Sequence, residues 1–268
     1  MKVGVRHMSQ QSRFYVEVKG IKLHFLQYGS YGPQLLLIPG ITSPAITWGF
    51  VGERLARHAM ITILDNRGRG LSDQRAGLGH STADYAEDAA GVIEALGLAP
   101  AIVLGHSMGA RVAARLAARR PDLMRRCILA DPPVSGPGRR PYPSPLQKYL
   151  DDIDAASRGE AFAANPKFSE AQNRMRREWL PTCSKEAVRL SHAAFHEDDM
   201  FADLPKIACP TLLVYAGQGG VITDTDAGEV VSLLKDGRKT KIGHVGHMMP
   251  FEDLDAFAAA VEPFIAAT

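Results

Sequence analysis

Ser107 stands in the pattern best able to do chemistry in this chain. A strongly apolar run at 101–104 precedes it and predicts a buried strand, and residues 110–118 after it predict a helix. The pattern between them is Gly105-His106-Ser107-Met108-Gly109. A tight turn from strand to helix presents a serine hydroxyl at the helix N-terminus, and the flanking glycines let the backbone pack closely. We therefore predict that Ser107 is a nucleophile.

A serine hydroxyl needs a base within hydrogen-bond reach and an acid that orients the base. His247 lies in a loop after the last predicted strand and just before the last predicted helix. The chain order Ser, Asp, His with a late histidine is expected for this kind of turn, so His247 is the predicted base. His244 is the competing candidate, and its alternative interpretation is a strand-end residue bonded to backbone.

The acid is absent from the position where chains with this kind of turn usually have it. That position is a Gly-x-x-Asp run after the strand that here spans 211–216, but the chain reads Gly217-Gln218-Gly219-Gly220. Asp131 follows the preceding predicted strand, 126–130, and so lies at the carboxyl edge of the neighbouring strand. We predict that Asp131 is the acid, the alternative being a loop cap. Asp224 and Asp226 are the fallback candidates.

Negative charge on a tetrahedral intermediate requires backbone N–H donors. The residue after the nucleophile, Met108, supplies one predicted donor, and Ile41, in the loop after the strand at 34–38, supplies the other. Thr42 and Ser43 lie in the same loop. They are predicted substrate contacts, with ordinary loop hydrogen bonding as the alternative.

Strands alternate with helices along most of the chain. Residues 14–18 and 21–28 predict an antiparallel hairpin, and further strands are predicted at 34–38, 60–64, 101–104, 126–130, 211–216 and 239–242. Helices are predicted at 48–57, after a cap at Ser81 or Thr82, and at 257–266. The alternation predicts an α/β fold with a mostly parallel, eight-stranded sheet flanked by helices.

Residues 132–205 break this alternation. They open with a Pro- and Gly-rich segment and contain helical patterns at 146–157, 169–179 and 185–195, but no convincing strand. We predict a helical cap inserted over Ser107, with 1–131 and 206–268 forming the core.

Composition excludes several classes of function. The chain has 268 residues, a net charge of +2 and 46% hydrophobic residues, so nothing global points to nucleic acid or a membrane as a partner. Residues 1–7 have no apolar stretch typical of a signal peptide, and no apolar run approaches the roughly 20 residues that span a bilayer.

The three cysteines are widely spaced and odd in number: Cys127, Cys183 and Cys209. This favours neither a disulfide nor a metal framework, and it fits a reducing cytoplasm. No His-Glu-x-x-His or dinucleotide motif is present, so we expect neither a metal nor a cofactor.

Over essentially its whole length the chain resembles the α/β-hydrolase superfamily, through the Ser107 turn, the turn at 65–72 and the Gly246-His247 loop. Four segments resemble the N-formylmaleamate deformylase family of aerobic nicotinate degradation: 39–51, 131–140, 178–183 and 195–205. The resemblance implies a Ser107, Asp131, His247 triad. It also implies hydrolysis of a linear amide, with N-formylmaleamate giving maleamate and formate through a formyl-serine, and no cofactor.

The substrate implied by the resemblance carries a carboxylate, which a guanidinium binds well. The predicted cap supplies five candidate arginines: Arg139, Arg140, Arg174, Arg176 and Arg177. The alternative for any one of them is a solvated basic surface. Trp48, Tyr142 and Trp179 are candidate pocket walls, with core packing as the alternative.

Other functions stay open at this point. The enamide hydrolase that acts on 2-(acetamidomethylene)succinate is a relative with the same acid position. A carboxylesterase or a carbon–carbon bond hydrolase would share the triad and the fold. A non-catalytic ligand receptor is the alternative of a different class. The expected partner is a small carboxylate-bearing amide, and assembly into a homo-oligomer is left open.

Overall fold

An eight-stranded sheet forms the centre of the fold. The computed structural model describes residues 12–160 and 164–267, with the backbone alone at 12 and 13. The strands are β1 (Ser12–Val18), β2 (Ile21–Tyr28), β3 (Gln34–Ile38), β4 (Met60–Leu64), β5 (Ala101–His106), β6 (Met124–Ala130), β7 (Thr211–Ala216) and β8 (Gly237–Ile242). Their order is β1-β2-β4-β3-β5-β6-β7-β8.

The sheet is antiparallel at one edge and parallel elsewhere. β1 and β2 form the predicted hairpin, with Val18 opposite Ile21, and β2 pairs antiparallel with β4. All other neighbouring pairs are parallel. The carboxyl ends of these parallel strands therefore meet at one edge. This confirms the prediction of a mostly parallel, eight-stranded sheet.

Helices cover both faces of the sheet. They are α1 (Gly49–Leu55), α2 (Thr82–Ala95), α3 (Met108–Arg119), α4 (Leu146–Ser157), α5 (Glu170–Trp179), α6 (Lys185–Glu197), α7 (Asp224–Leu233), α8 (Met249–Glu252) and α9 (Leu254–Ala266). Short 3-10 turns lie at Ala45–Trp48, Pro121–Leu123, Leu180–Thr182 and Leu204–Lys206. Ser81 caps α2: its hydroxyl accepts the Asp84 N–H, and the Asp84 carboxylate accepts the Ser81 N–H.

Alternate residues of the central strands enter different apolar cores. In β5, Ala101 and Val103 pack with α2 and α3 on one face, whereas Ile102 and Leu104 pack with α1 and α9 on the other. Every residue of β5 is buried. A strand covered on both faces reads as a continuous apolar run, and this explains why the sequence reveals β5 so clearly.

Between β6 and β7 the chain forms helices α4 to α6, close to the predicted 146–157, 169–179 and 185–195. No strand occurs in the described parts of this segment, 132–160 and 164–205. That the segment is a cap domain with boundaries at 132 and 205 stays a prediction. Within the described ranges, none of the helices combines the length and the apolar character needed to cross a bilayer. The expectation for residues 1–7 falls outside the described residues.

Candidate active site

Ser107 lies at the carboxyl end of β5, directly before α3. Its backbone has φ 55° and ψ −120°, a left-handed conformation that costs a non-glycine residue roughly 1–3 kcal/mol. The Ser107 N–H still donates to Ala130 O of the neighbouring strand at 2.9 Å. The strained turn therefore holds the hydroxyl at the sheet edge and at the helix N-terminus.

Both flanking glycines are required by close backbone contacts. A Cβ on Gly105 would lie 2.0 Å from Gly109 O, and a Cβ on Gly109 would lie 1.9 Å from Ile38 O. Neither position has room for a methyl group. The Gly-x-Ser-x-Gly spacing thus follows from how tightly α3 packs on β3 and β5.

His247 lies in the loop between β8 and α8, within reach of the serine. Its Nε2 lies 3.0 Å from Ser107 Oγ, so it can accept the hydroxyl proton. His106 stabilises this loop, because its Nε2–H donates to His247 O at 2.8 Å. Burial, and to a lesser extent the neighbouring His247, lowers the pKa of His106 to about 3. His106 is therefore neutral when it makes this bond. Sequence reasoning missed this role, because the motif leaves that position free.

Asp131 completes the line from the serine. It is fully buried, and its Oδ2 accepts a hydrogen bond from His247 Nδ1–H at 2.6 Å. The backbone N–H groups of Ala216 and Val221 also donate to the carboxylate, at 3.1 and 3.2 Å. Burial raises the pKa of Asp131, but these three donors outweigh it and leave the pKa below its ordinary value. Asp131 therefore stays ionised beside His247.

Gly220, where an acid was expected, leaves space for Asp131. A Cβ at residue 220 would lie 3.1 and 3.2 Å from the two carboxylate oxygens of Asp131. A side chain there would crowd the carboxylate. The glycine after β7 and the acid after β6 are thus two parts of one arrangement.

The alternative base and acids lie elsewhere. His244 is exposed and its Nε2 contacts Asp253 at 2.8 Å, near the start of α9. Asp224 is exposed and pairs with Lys241. Asp226 lies in the first turn of α7, where its carboxylate accepts the N–H of the N-cap residue Thr223. The structure brings none of the three candidates to Ser107.

The two predicted oxyanion donors flank the serine. Met108 is the first residue of α3, where N–H groups have no partner within the helix. Ile41 lies in the loop after β3. In the described part of the chain, neither N–H donates to a protein acceptor. Both donors are therefore available for an anion, and the oxyanion role stays a prediction.

A cavity of about 480 Å³ opens over Ser107. Its lining includes the predicted Ile41, Thr42, Ser43, Ser107 and His247. It also includes residues that sequence reasoning did not single out: Lys148, Tyr149, Asp152, Asn165, Asn173, Leu180 and Met248. Helices α4 and α5 thus supply one wall.

Arg139 and Arg140 do not line this cavity, contrary to the prediction. Arg139 pairs with Glu229 and stacks over the Phe201 ring at 3.4 Å. Arg140 makes a two-pronged ion pair with Asp226 and donates to Val221 O. Partners from distant parts of the chain therefore neutralise both arginines. Since Val221 N–H donates to Asp131, Arg140 instead steadies the loop beside the acid.

The phase of α5 corrects the prediction for three more residues. Asn173, Arg176 and Leu180 follow one another at helical spacing and face the cavity. Arg174, Arg177 and Trp179 lie on other faces and are not part of the lining. The Arg174 side chain is exposed and lies 4.0 Å from Glu178. Arg176 is thus the arginine of this helix that reaches the site.

Aromatic residues lie behind the wall rather than in it. The Tyr142 hydroxyl bonds to the hydroxyl of Tyr149, which does line the cavity, at 2.9 Å. Trp48 is completely buried and packs against His106. Tyr142 and Trp48 therefore support the residues that form the surface.

Comparison with known proteins decides the family. The family model described as "Alpha/beta hydrolase family" matches residues 35–260 of this chain. The chain belongs to the alpha/beta hydrolase family. The resemblance drawn from the Ser107 turn and the His247 loop is confirmed.

One similar protein is N-formylmaleamate deformylase from Pseudomonas putida. It is 46% identical over 256 residues, which cover 93% of this chain and 95% of the relative. A crystal structure of an N-formylmaleamic acid deformylase from Pseudomonas putida is also similar. It has a TM-score of 0.88 and 41% identity, and the match covers 93% of this chain and 100% of that one.

A second solved structure is that of an E-2-(acetamidomethylene)succinate hydrolase. The TM-score is 0.79 at 25% identity, and the match covers 96% of this chain and 100% of that one. The closer resemblance inferred from the four segments is therefore confirmed, and the enamide hydrolase is a more distant relative.

Proposed function

We propose that this protein is a serine hydrolase that cleaves the N-formyl amide bond of N-formylmaleamate and releases maleamate and formate. The observation that carries the proposal is a continuous line from Ser107 through His247 to Asp131, in one cavity with Arg176. The 46% identity to a protein of that activity supports the choice of substrate.

In the proposed reaction the Ser107 oxygen attacks the formyl carbon while His247 Nε2 takes the hydroxyl proton. Ionised Asp131 stabilises the imidazolium that forms. The oxyanion accepts hydrogen bonds from the N–H groups of Ile41 and Met108. His247 then passes its proton to the maleamate nitrogen as the carbon–nitrogen bond breaks, leaving formyl-Ser107.

Water completes the reaction by the same steps. His247 takes one proton from water, the oxygen of that water attacks the formyl ester, and the proton passes to the Ser107 oxygen as formic acid departs and ionises to formate in solvent. The nitrogen of the substrate is shared between two carbonyl groups, so maleamate leaves more readily than an amine. Machinery suited to esters is therefore sufficient for this amide.

Arg176 is the residue we propose for the substrate carboxylate. It lines the cavity, and among the described residues it forms no ion pair. Lys148, the other cation in the lining, already pairs with Asp152 at 2.7 Å. Arg176 is half-buried in the cavity wall, and the partial loss of hydration lowers its pKa. A substrate carboxylate would supply the missing partner.

The helical segment 132–205 would act as the cap over this site, since α4 and α5 supply a wall of the cavity. A location in the cytoplasm is supported by the free thiols of Cys127, Cys183 and Cys209. The partner is then a small carboxylate-bearing amide.

Kinetics of formate release from N-formylmaleamate test the proposal. Arg176→Gln removes the charge and should raise KM by roughly 10- to 100-fold, as for a lost hydrogen-bonded ion pair worth about 1.5–3 kcal/mol. Arg177→Gln is the matched control, because it removes the same charge one residue away, outside the cavity.

Hydrolysis of p-nitrophenyl acetate, which has no carboxylate, should be unchanged in both variants. Equal KM values for Arg176→Gln and Arg177→Gln would overturn the role of Arg176. If the wild-type protein cleaves 2-(acetamidomethylene)succinate in preference to N-formylmaleamate, the proposed substrate is wrong and the reaction class stands.

A further inference from the structure

Arg69 is a buried cation without a carboxylate partner. It lies in the turn after β4 and has 0% exposure. Within the described ranges it forms no ion pair, whereas Arg67 nearby pairs with Asp88 at 2.6 Å. A guanidinium removed from water is costly unless its donors are satisfied. The groups that satisfy the donors of Arg69 therefore show what its charge does in the fold.

One side of the guanidinium faces the loop that carries the proposed oxyanion donors. Arg69 Nε–H donates to Ile41 O at 2.9 Å, and Nη2 lies 4.0 Å from Met108 Sδ. Arg69 thus contacts both residues whose N–H groups flank Ser107. It holds Ile41 through its carbonyl oxygen, so the Ile41 N–H is left free.

The other side reaches α6, in the segment between β6 and β7. Arg69 Nη2–H donates to Ser191 Oγ at 2.9 Å and to Ala187 O at 3.3 Å. Nη1 donates to the Tyr85 hydroxyl of α2, which also bonds to Ser191 Oγ at 2.8 Å. Burial raises the pKa of Tyr85, so its hydroxyl remains neutral and supplies no negative charge to Arg69.

We propose that Arg69 is a positioning residue for the oxyanion hole. Its guanidinium fixes Ile41 against α2 and α6, and its positive charge, which forms no ion pair within the described residues, favours negative charge at the tetrahedral intermediate. Donors held in place before reaction cost no reorganisation when the charge develops. The inference rests on the proposed function of the same site, because it assumes that Ile41 and Met108 are the donors.

The test uses p-nitrophenyl acetate as substrate and methylboronic acid as inhibitor. The boronic acid forms a tetrahedral, anionic adduct with an activated serine, so its affinity reports on the oxyanion hole. Arg69→Gln should lower kcat by roughly 10- to 100-fold and weaken boronate inhibition by a similar factor, with KM changed less than about twofold. Arg69→Lys keeps the charge and should recover part of both losses.

Arg111→Gln is the matched control. Arg111 is also buried and donates to backbone carbonyls, including Pro133 O at 3.1 Å and Ser135 O at 2.8 Å. Among the described residues it has no bond to Ile41 or Met108. This variant should lose stability but keep kcat and boronate affinity within about twofold.

If both arginine variants fold, two outcomes would overturn the proposal. One is a folded Arg69→Gln protein with unchanged kcat and boronate affinity. The other is an equal loss of both in Arg111→Gln. If Arg69→Gln does not fold, Ser191→Ala removes one anchor of the guanidinium and should still lower kcat and boronate affinity together, and unchanged values would refute the role.

The ester also separates this inference from the proposed function. A protein that ignores N-formylmaleamate but cleaves p-nitrophenyl acetate loses its substrate assignment, and the comparison of Arg69 with Arg111 proceeds unchanged.

Discussion

Replacing Asp131 by Asn should remove most of the catalytic rate while keeping the shape of the side chain. Asp131 accepts three hydrogen bonds, at 2.6, 3.1 and 3.2 Å, the shortest from His247 Nδ1–H. The amide of Asn can donate to Nδ1 instead, which moves the imidazole proton to Nε2. Nε2 then cannot accept the Ser107 proton. We expect kcat to fall about 10,000-fold, or about 5.5 kcal/mol in activation free energy.

The space around Gly220 allows a stronger version of this test. In the wild-type background, Gly220→Asp brings a Cβ to 3.1 and 3.2 Å from the Asp131 oxygens and adds a second negative charge, so activity should fall. In an Asp131→Ala background those oxygens are gone and the new carboxylate can occupy their place. The double variant should recover at least about tenfold in kcat over Asp131→Ala alone.

The assay is p-nitrophenyl acetate hydrolysis, with circular dichroism to verify the fold. Asp131→Asn with wild-type kcat would refute Asp131 as the acid. A double variant no faster than Asp131→Ala would refute the argument that Gly220 and Asp131 share one space.

Three further outcomes are expected. Gly109→Ala places a Cβ 1.9 Å from a β3 carbonyl oxygen and should lower the free energy of unfolding, measured in urea, by more than about 4 kcal/mol. Gly243→Ala is the control: its new Cβ would have no atom within 4 Å, so the free energy of unfolding should change little. Burial lowers the pKa of His80 to about 4 and of His106 to about 3, below the ordinary value of about 6.5. The unfolded state therefore binds more protons, and stability should fall by about 1.4 kcal/mol per histidine between pH 7.5 and 5.5; an unchanged urea midpoint would contradict this. His244→Ala should keep kcat within about twofold, because that side chain lies at the surface away from Ser107.

The fold could be predicted because its strands and helices are locally encoded. β5 is buried throughout and reads as an apolar run, while α4 begins and ends where the periodicity of 146–157 places it. The line from Ser107 to His247 followed from topology, since loops at the carboxyl ends of parallel strands meet at one edge. Asp131 followed from the glycine at residue 220 together with the resemblance.

The cavity wall could not be predicted, because it depends on how distant segments meet. Arg139 and Arg140 pair with Glu229 and Asp226, both on α7. Nothing in the sequence around the two arginines indicates that α7 lies beside them. Arg176 differs from its neighbour Arg177 only in helical phase, and a shift of one residue changes the face that meets the cavity. Hydrogen bonds and ion pairs between segments that are distant in the sequence leave no local sequence pattern from which they could be predicted.

Formate release from N-formylmaleamate by the wild-type protein and by Ser107→Ala is the most direct test of the central claim. Ser107 is almost completely buried, with 2% exposure, and its hydroxyl oxygen is the nucleophile in the proposed reaction. We predict rapid release by the wild type and a loss of at least about 10,000-fold in Ser107→Ala, which keeps the fold. Release by Ser107→Ala at the wild-type rate would contradict the nucleophile, and no release by the wild type would contradict the substrate.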